Sequence, residues 1–131
     1  KITLRIACSK PATNLSVWLV SLPWEDGEKV KTNSNLITRG WADPQNVASI
    51  EHGEPLVPGK YYDVSFELEP DDQIIPVGER IGLMVFASDH DFTLWPAPGT
   101  ELTVDLEGSL LELPVVGGAD ALEKALGERA R

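Results

Sequence analysis

The chain has 131 residues, 42% of them apolar and 24% charged, which suits a single globular domain able to bury a core without covalent staples. Its 11 basic against 21 acidic residues give a formal charge of −10, which argues against partners that present phosphate, nucleic acids and anionic membranes alike; most of this acidity reads as a solubility feature. A single cysteine, Cys8, excludes an intrachain disulfide and a cysteine-based zinc site, and no run approaches the roughly 18 to 20 apolar residues of a membrane-spanning helix.

Period-two alternation, the mark of half-buried strands, dominates from the start. Ile2, Leu4, Ile6 and Cys8 share one face of a first strand, so Cys8 is expected to be a buried, inert thiol. Ser9 to Thr13 supplies turn residues, and Asn14 to Leu22 follows as a strand with little polar face, as expected when both sides are covered. Pro23 to Asn35 reads as a polar loop with Asp26-Gly27 as its tight-turn candidate. Ile37 to Trp41 is a short strand, and Ala42 to Gly59 a long excursion ending in the Pro58-Gly59 turn.

Tyr62, Val64, Phe66 and Leu68 then alternate with Tyr61, Asp63, Ser65, Glu67 and Glu69, giving a strand with one apolar and one acidic face. After a turn at Pro76-Val77-Gly78-Glu79, Arg80 to Ala87 is almost continuously apolar and is expected to be central in a sheet. Short strands are expected at Phe92–Trp95, Leu102–Leu106 and Leu110–Val115, with a bulge or turn at Glu107-Gly108-Ser109. Only the tail changes period: Ala121, Leu122, Ala125 and Leu126 form a helical stripe, with Asp120 and Glu123 placed as a capping box. Such a short helix is marginal unless it packs on something. About eight strands with Pro/Gly-rich connections, and no helical crossovers between them, predict an all-β two-layer sandwich, most plausibly a jelly roll.

Several segments, in this order, carry a family resemblance: Leu36-Ile37-Thr38-Arg39-Gly40-Trp41, Glu54-Pro55-Leu56-Val57-Pro58-Gly59-Lys60, Phe66-Glu67-Leu68-Glu69-Pro70, Gly78-Glu79-Arg80-Ile81-Gly82-Leu83, Ser88-Asp89-His90-Asp91-Phe92-Thr93-Leu94, Pro98-Gly99-Thr100-Glu101-Leu102-Thr103-Val104, and Leu113-Pro114-Val115-Val116-Gly117-Gly118. From about Thr3 to Gly118 the chain resembles the C-terminal domain of bacterial Xaa-Pro dipeptidyl-peptidases, which is related to that of cocaine-esterase-like hydrolases. The resemblance implies a galactose-binding-like jelly roll over residues 1–118, followed by a tail at 119–131. It also implies an α/β-hydrolase domain elsewhere in the same polypeptide, carrying a Ser–Asp–His triad that cleaves peptides with proline second from the N-terminus. The start at Lys1-Ile2-Thr3-Leu4, without Met and apparently within a strand, is likewise expected of a fragment of a longer polypeptide. With no secretory signal visible, the compartment stays open between cytoplasmic and secreted.

No catalytic residue is assigned within this chain. None of Ser9, Ser16, Ser21, Ser34, Ser49, Ser65, Ser88 and Ser109 lies in Gly-x-Ser-x-Gly, the elbow that exposes a hydrolase serine. Ser88-Asp89-His90 holds the three residue types, but adjacency in an extended chain points Asp89 away from His90, so it does not orient the imidazole; local bonding to backbone at a strand end is expected instead. Asp89 and Asp91 on one face would suit calcium, with solvated turn carboxylates as the plainer reading, and Asp71-Asp72 reads the same plain way. His52 beside Glu51 and Glu54 is expected at the surface, and the two histidines lack zinc spacing. No metal or other cofactor is therefore assigned.

Of the four tryptophans, Trp18 is expected in the core and Trp24 at its edge. Trp41 and Trp95 stand at strand ends beside Arg39 and Pro96, where two roles fit: satellite core under long loops, or interface anchors. Arg39, Trp41, Asp89, His90, Asp91 and Trp95 are thus the candidate interface residues. Three functional readings follow: an accessory domain packing on the hydrolase domain, a carbohydrate-binding module using exposed Trp rings, and a structural element that makes the parent a homo-oligomer.

Overall fold

Alternation becomes six strands in two antiparallel sheets. A computed structural model describes residues 1–24 and 35–127; the expected Asp26-Gly27 turn lies outside the described residues. The strands are β1 (Ile2–Cys8), β2 (Leu15–Leu22), β3 (Leu36–Ala42), β4 (Tyr61–Phe66), β5 (Arg80–Phe86) and β6 (Leu102–Leu111), followed by one helix, α1 (Gly118–Gly127). One sheet has the order β4-β1-β6 and the other β3-β2-β5. Among the described residues no helix is long and apolar enough to cross a membrane.

The core lies between the central strands of the two sheets. Ile2, Leu4 and Ile6 of β1 meet Leu15 and Val17 of β2, with Val64 of β4 completing the buried cluster. Val85, Leu102, Val104, Tyr62 and Phe66 pack around it. Full burial of such side chains stabilises by about 1.5–3 kcal/mol each. β2 is buried on both faces: Leu15 and Val17 point inward, while Ser16 and Val20 are covered on the outer side. β4 keeps Val64 inside and Asp63 and Ser65 in water, as its alternation requires. Cys8 is buried and free, its Sγ accepting from the Lys10 amide at 3.4 Å.

The two expected turns at Gly59 and Gly78 form, and two further Gly turns form by the same device. Lys60 N–H donates to Val57 O at 3.0 Å, Glu79 to Pro76 O at 3.1 Å, Thr100 to Ala97 O at 3.1 Å and Gly118 to Val115 O at 2.9 Å. In each the third residue is a glycine at positive φ, Gly59, Gly78, Gly99 and Gly117, the position where a side chain would be strained.

Three expectations need correction. Phe92–Trp95 is not a strand: the Asp89 carbonyl accepts from Phe92 N–H at 3.3 Å, Thr93 N–H at 2.9 Å and Thr93 Oγ1 at 3.1 Å, which curls the chain before it can extend. Leu102–Leu106 and Leu110–Val115 do not make two strands, because β6 runs on through a large bulge at 107–109 and ends at Leu111. There the two-residue step from Thr3 to Arg5 faces the five-residue step from Leu110 to Asp105. Asp105 Oδ1 accepts from the amides of Glu107 and Gly108, and Ser109 Oγ accepts from Arg5 N–H while donating to Asp105 O. The bulge is thus held by its own side chains. Lastly, β5 is not central: among the described residues it pairs with β2 alone and forms a sheet edge.

α1 begins at Gly118, two residues before Asp120. Asp120 therefore sits in the first turn, where its charge favours the helix dipole, rather than at the cap. The helix buries no residue, and Leu122 and Leu126 of its apolar stripe are exposed. Among the described residues, six strands in two sheets and one short α-helix make a β-sandwich.

Candidate functional site

Arg39 and Trp41 are two apart on β3, so both side chains leave the same, outer face of their sheet. The register places Arg39 opposite Trp18 and Trp41 opposite Ser16, and Phe86 of β5 lies on the far side of Ser16. Beyond Phe86 the chain leaves the open edge and returns to β3, where Asp89 accepts a hydrogen bond from Trp41 Nε1 at 3.1 Å through Oδ2. Asp89 is buried while its neighbours His90 and Asp91 are exposed.

The turn capped by Asp89 delivers Phe92 onto Trp41. The two rings stack with centroids 5.0 Å apart and planes 28° from parallel. The Arg39 guanidinium lies 4.1 Å from the Phe92 ring centre and 5.4 Å from that of Trp41, a cation–π arrangement that fixes its direction. Arg39 forms no ion pair among the described residues, in a chain with 21 acids and 11 bases; Arg5, by contrast, pairs with Asp63 and Asp105. The end of the segment is tied down by Asn14 Nδ2, which donates to Leu94 O at 2.5 Å. His90 meets Trp95 edge to face.

An open depression of about 590 Å³ runs beside this cluster, with Arg39, Trp41 and Phe92 on one wall and Glu69, Pro70 and Asp71 on the other. Further along the segment that carries Phe92, Leu94 is 82% and Trp95 56% accessible. On the covered side of the same sheet face, Trp18 packs against Trp24 and, edge-on at 5.2 Å, against Phe86. Ser16 Oγ and Trp18 Nε1 are buried there without a hydrogen-bond partner among the described residues.

The candidate residues fall at one end of the sandwich. Arg39, Trp41 and Asp89 form one connected group, His90 and Trp95 a second along the same segment, and Asp91 stands exposed between them. Trp41 is half-buried with one ring face covered by Phe92, as the satellite-core reading requires. Phe92 and Asn14 were missed. Phe92 looks like an alternating strand residue, and nothing local to Asn14 signals a partner 80 positions away. Asp89 bonds to Trp41 and His90 turns to Trp95, so Ser88-Asp89-His90 does not assemble as a triad. Among the described residues no group of three or more His, Cys, Asp or Glu gathers in a way that would hold a metal ion.

Residues 1–124 match the family model described as the X-Pro dipeptidyl-peptidase C-terminal non-catalytic domain. A Rhodopirellula baltica protein provisionally named Xaa-Pro dipeptidyl-peptidase is 60% identical over 123 residues, which is 94% of this chain and 20% of that protein. A Bacillus cereus protein with the same provisional name is 40% identical over 116 residues, 88% of this chain and 18% of its own length. The Xaa-Pro dipeptidyl-peptidase of Lactobacillus delbrueckii subsp. lactis is 33% identical over 82 residues, 63% of this chain and 10% of that protein. The chain thus spans about a fifth or less of the length of these relatives. No solved structure matches it significantly. The chain belongs to the family of C-terminal, non-catalytic domains of X-Pro dipeptidyl-peptidases.

Proposed function

We propose that the chain is the accessory C-terminal β-sandwich of an Xaa-Pro dipeptidyl-peptidase-like serine hydrolase, packing on an α/β-hydrolase domain of the same polypeptide. The observation that carries this reading is the match over nearly the whole chain to a domain that makes up a fifth of its relatives. In this reading residues 1–118 form a jelly roll of the galactose-binding-like type, with 119–131 as a tail. The Arg39–Trp95 end is the contact surface. An oriented guanidinium with no ion pair among the described residues, set among aromatic rings, with exposed Leu94 and Trp95 further along the same segment, has the composition of an interface anchor.

The domain itself performs no bond cleavage in this scheme. It holds the hydrolase domain in place and shapes the approach to a proline-containing peptide. The test is to remove residues 1–131 from the full polypeptide and assay release of an Xaa-Pro dipeptide from a chromogenic amide. The expected result is a fall in kcat/KM of about tenfold or more, the scale of effect when a positioning contact is lost. Unchanged activity together with unchanged thermal stability would overturn the proposal.

A further inference from the structure

β5 presents a contradiction between its composition and its place. Arg80-Ile81-Gly82-Leu83-Met84-Val85-Phe86 has no acidic residue and no proline, in a chain with 21 acids and 10 prolines. Continuous apolar character of this kind belongs to strands flanked on both sides, and yet β5 lies at a sheet edge. Edge strands of stable monomers carry guards such as charges, prolines or a covering loop. β4 shows one such guard in Asp63, and β3 another in the segment that crosses it at Glu69. β5 shows neither. Beyond its ladder with β2, no backbone hydrogen bond reaches residues 80–86 among the described residues.

The side chains tell the same story. Ile81, Leu83 and Val85 face inward by register with Ser21, Leu19 and Val17. Leu19 and Val17 are buried, whereas Ile81 and Leu83 remain 41% and 39% accessible. On the outer face Met84 is exposed as well. Both faces of β5 therefore stop short of cover at the same edge.

We propose that the free edge of β5 receives an extended segment of the same polypeptide, from outside residues 1–131, as an added strand of the β3-β2-β5 sheet. This rests on the reading that the chain is part of a longer protein, as the relatives, with at least four-fifths of their length beyond the match, suggest. The segment would be apolar on both faces, covering Ile81 and Leu83 within the sandwich and Met84 outside it. Backbone pairing supplies the register and the apolar contacts supply the affinity, as in other strand additions.

The experiment compares amide hydrogen exchange in residues 1–131 and in the full polypeptide. Alternate amides of Arg80–Phe86 point away from β2 in an antiparallel ladder. They are expected to exchange with little protection in residues 1–131 and to slow by about a hundredfold in the full polypeptide, as paired strand amides do. Equal, fast exchange in both overturns the proposal. So does protection in residues 1–131 that rises with concentration alongside a dimer, because it assigns the edge to a second copy. The readout does not depend on activity: loss of strand pairing with a functional requirement for the domain would defeat this inference alone, and the reverse would defeat only the accessory role.

Discussion

The two long sides of the sandwich are finished differently. At the β3/β4 side the chain leaving β4 crosses to β3, where Glu69 N–H donates to Arg39 O at 2.8 Å and Thr38 Oγ1 donates to Glu69 O. Gly40 permits that approach: a Cβ there would lie 2.8 Å from the Glu67 carbonyl oxygen and 2.9 Å from Leu68 Cδ2. At the β5/β6 side no described segment crosses, and Ile81, Leu83, Leu106 and Leu110 are exposed. One side is closed by its own chain; the other offers apolar strand edges. The difference separates an edge that this sequence closes by itself from one that the described residues leave open.

The largest expected effect comes from the centre, which both sides share. Ile6→Ala removes a side chain that is 1% accessible and is expected to cost about 2–5 kcal/mol. Leu83→Ala, on the open side, is expected to cost only about 1 kcal/mol in residues 1–131, because much of the side chain is already in water. Urea unfolding of both variants measures the ratio. In the full polypeptide the Leu83 effect should grow toward the core value; a Leu83→Ala cost as large as that of Ile6→Ala in residues 1–131 would break the comparison.

A glycine pair sharpens it further. Gly40→Ala pushes a methyl against backbone on the closed side and is expected to destabilise by about 1–3 kcal/mol. Gly82→Ala meets Leu22 Cδ1 at 2.8 Å, the end of a side chain that can shift, so its thermal midpoint should fall clearly less than that of Gly40→Ala. The smallest effect belongs to the exposed ion pairs of β1. Arg5 lies 3.3 Å from Asp63 and 3.2 Å from Asp105, with a side chain 40% accessible. Arg5→Met should therefore change stability by only about 0–1 kcal/mol, less at high salt. A larger, salt-insensitive loss would mean that the Arg5 stem, packed on Gly108, matters more than its charge.

What could be read in the sequence followed from local chemistry. The acidic face of β4, the doubly covered β2 and the turns at Gly59 and Gly78 each depend on neighbours within a few positions. The stretch Phe92-Thr93-Leu94-Trp95 misled for the converse reason. Its alternation is that of a strand, but the Asp89 carbonyl takes three hydrogen bonds from residues three and four positions on, and a tertiary contact to Trp41 fixes where that turn begins. The candidate site was legible as residue types at strand ends. Its assembly was not, because the contacts joining Trp41 to Asp89 and Arg39 to Phe92 cross about fifty positions. β5 is the instructive case: its composition reads as that of a central strand, yet among the described residues it pairs with β2 alone.

The central claim is that this sandwich is built to pack on the rest of a longer polypeptide. Scanning calorimetry of residues 1–131 and of the full polypeptide, with unfolding of this domain followed through its tryptophans, addresses that claim most directly. A domain that docks through its Arg39–Trp95 end and its β5 edge should unfold several degrees higher in the full polypeptide, about the shift that 1–2 kcal/mol of added stability gives at this size. An identical midpoint in both would contradict the account, leaving a domain merely tethered to its neighbour.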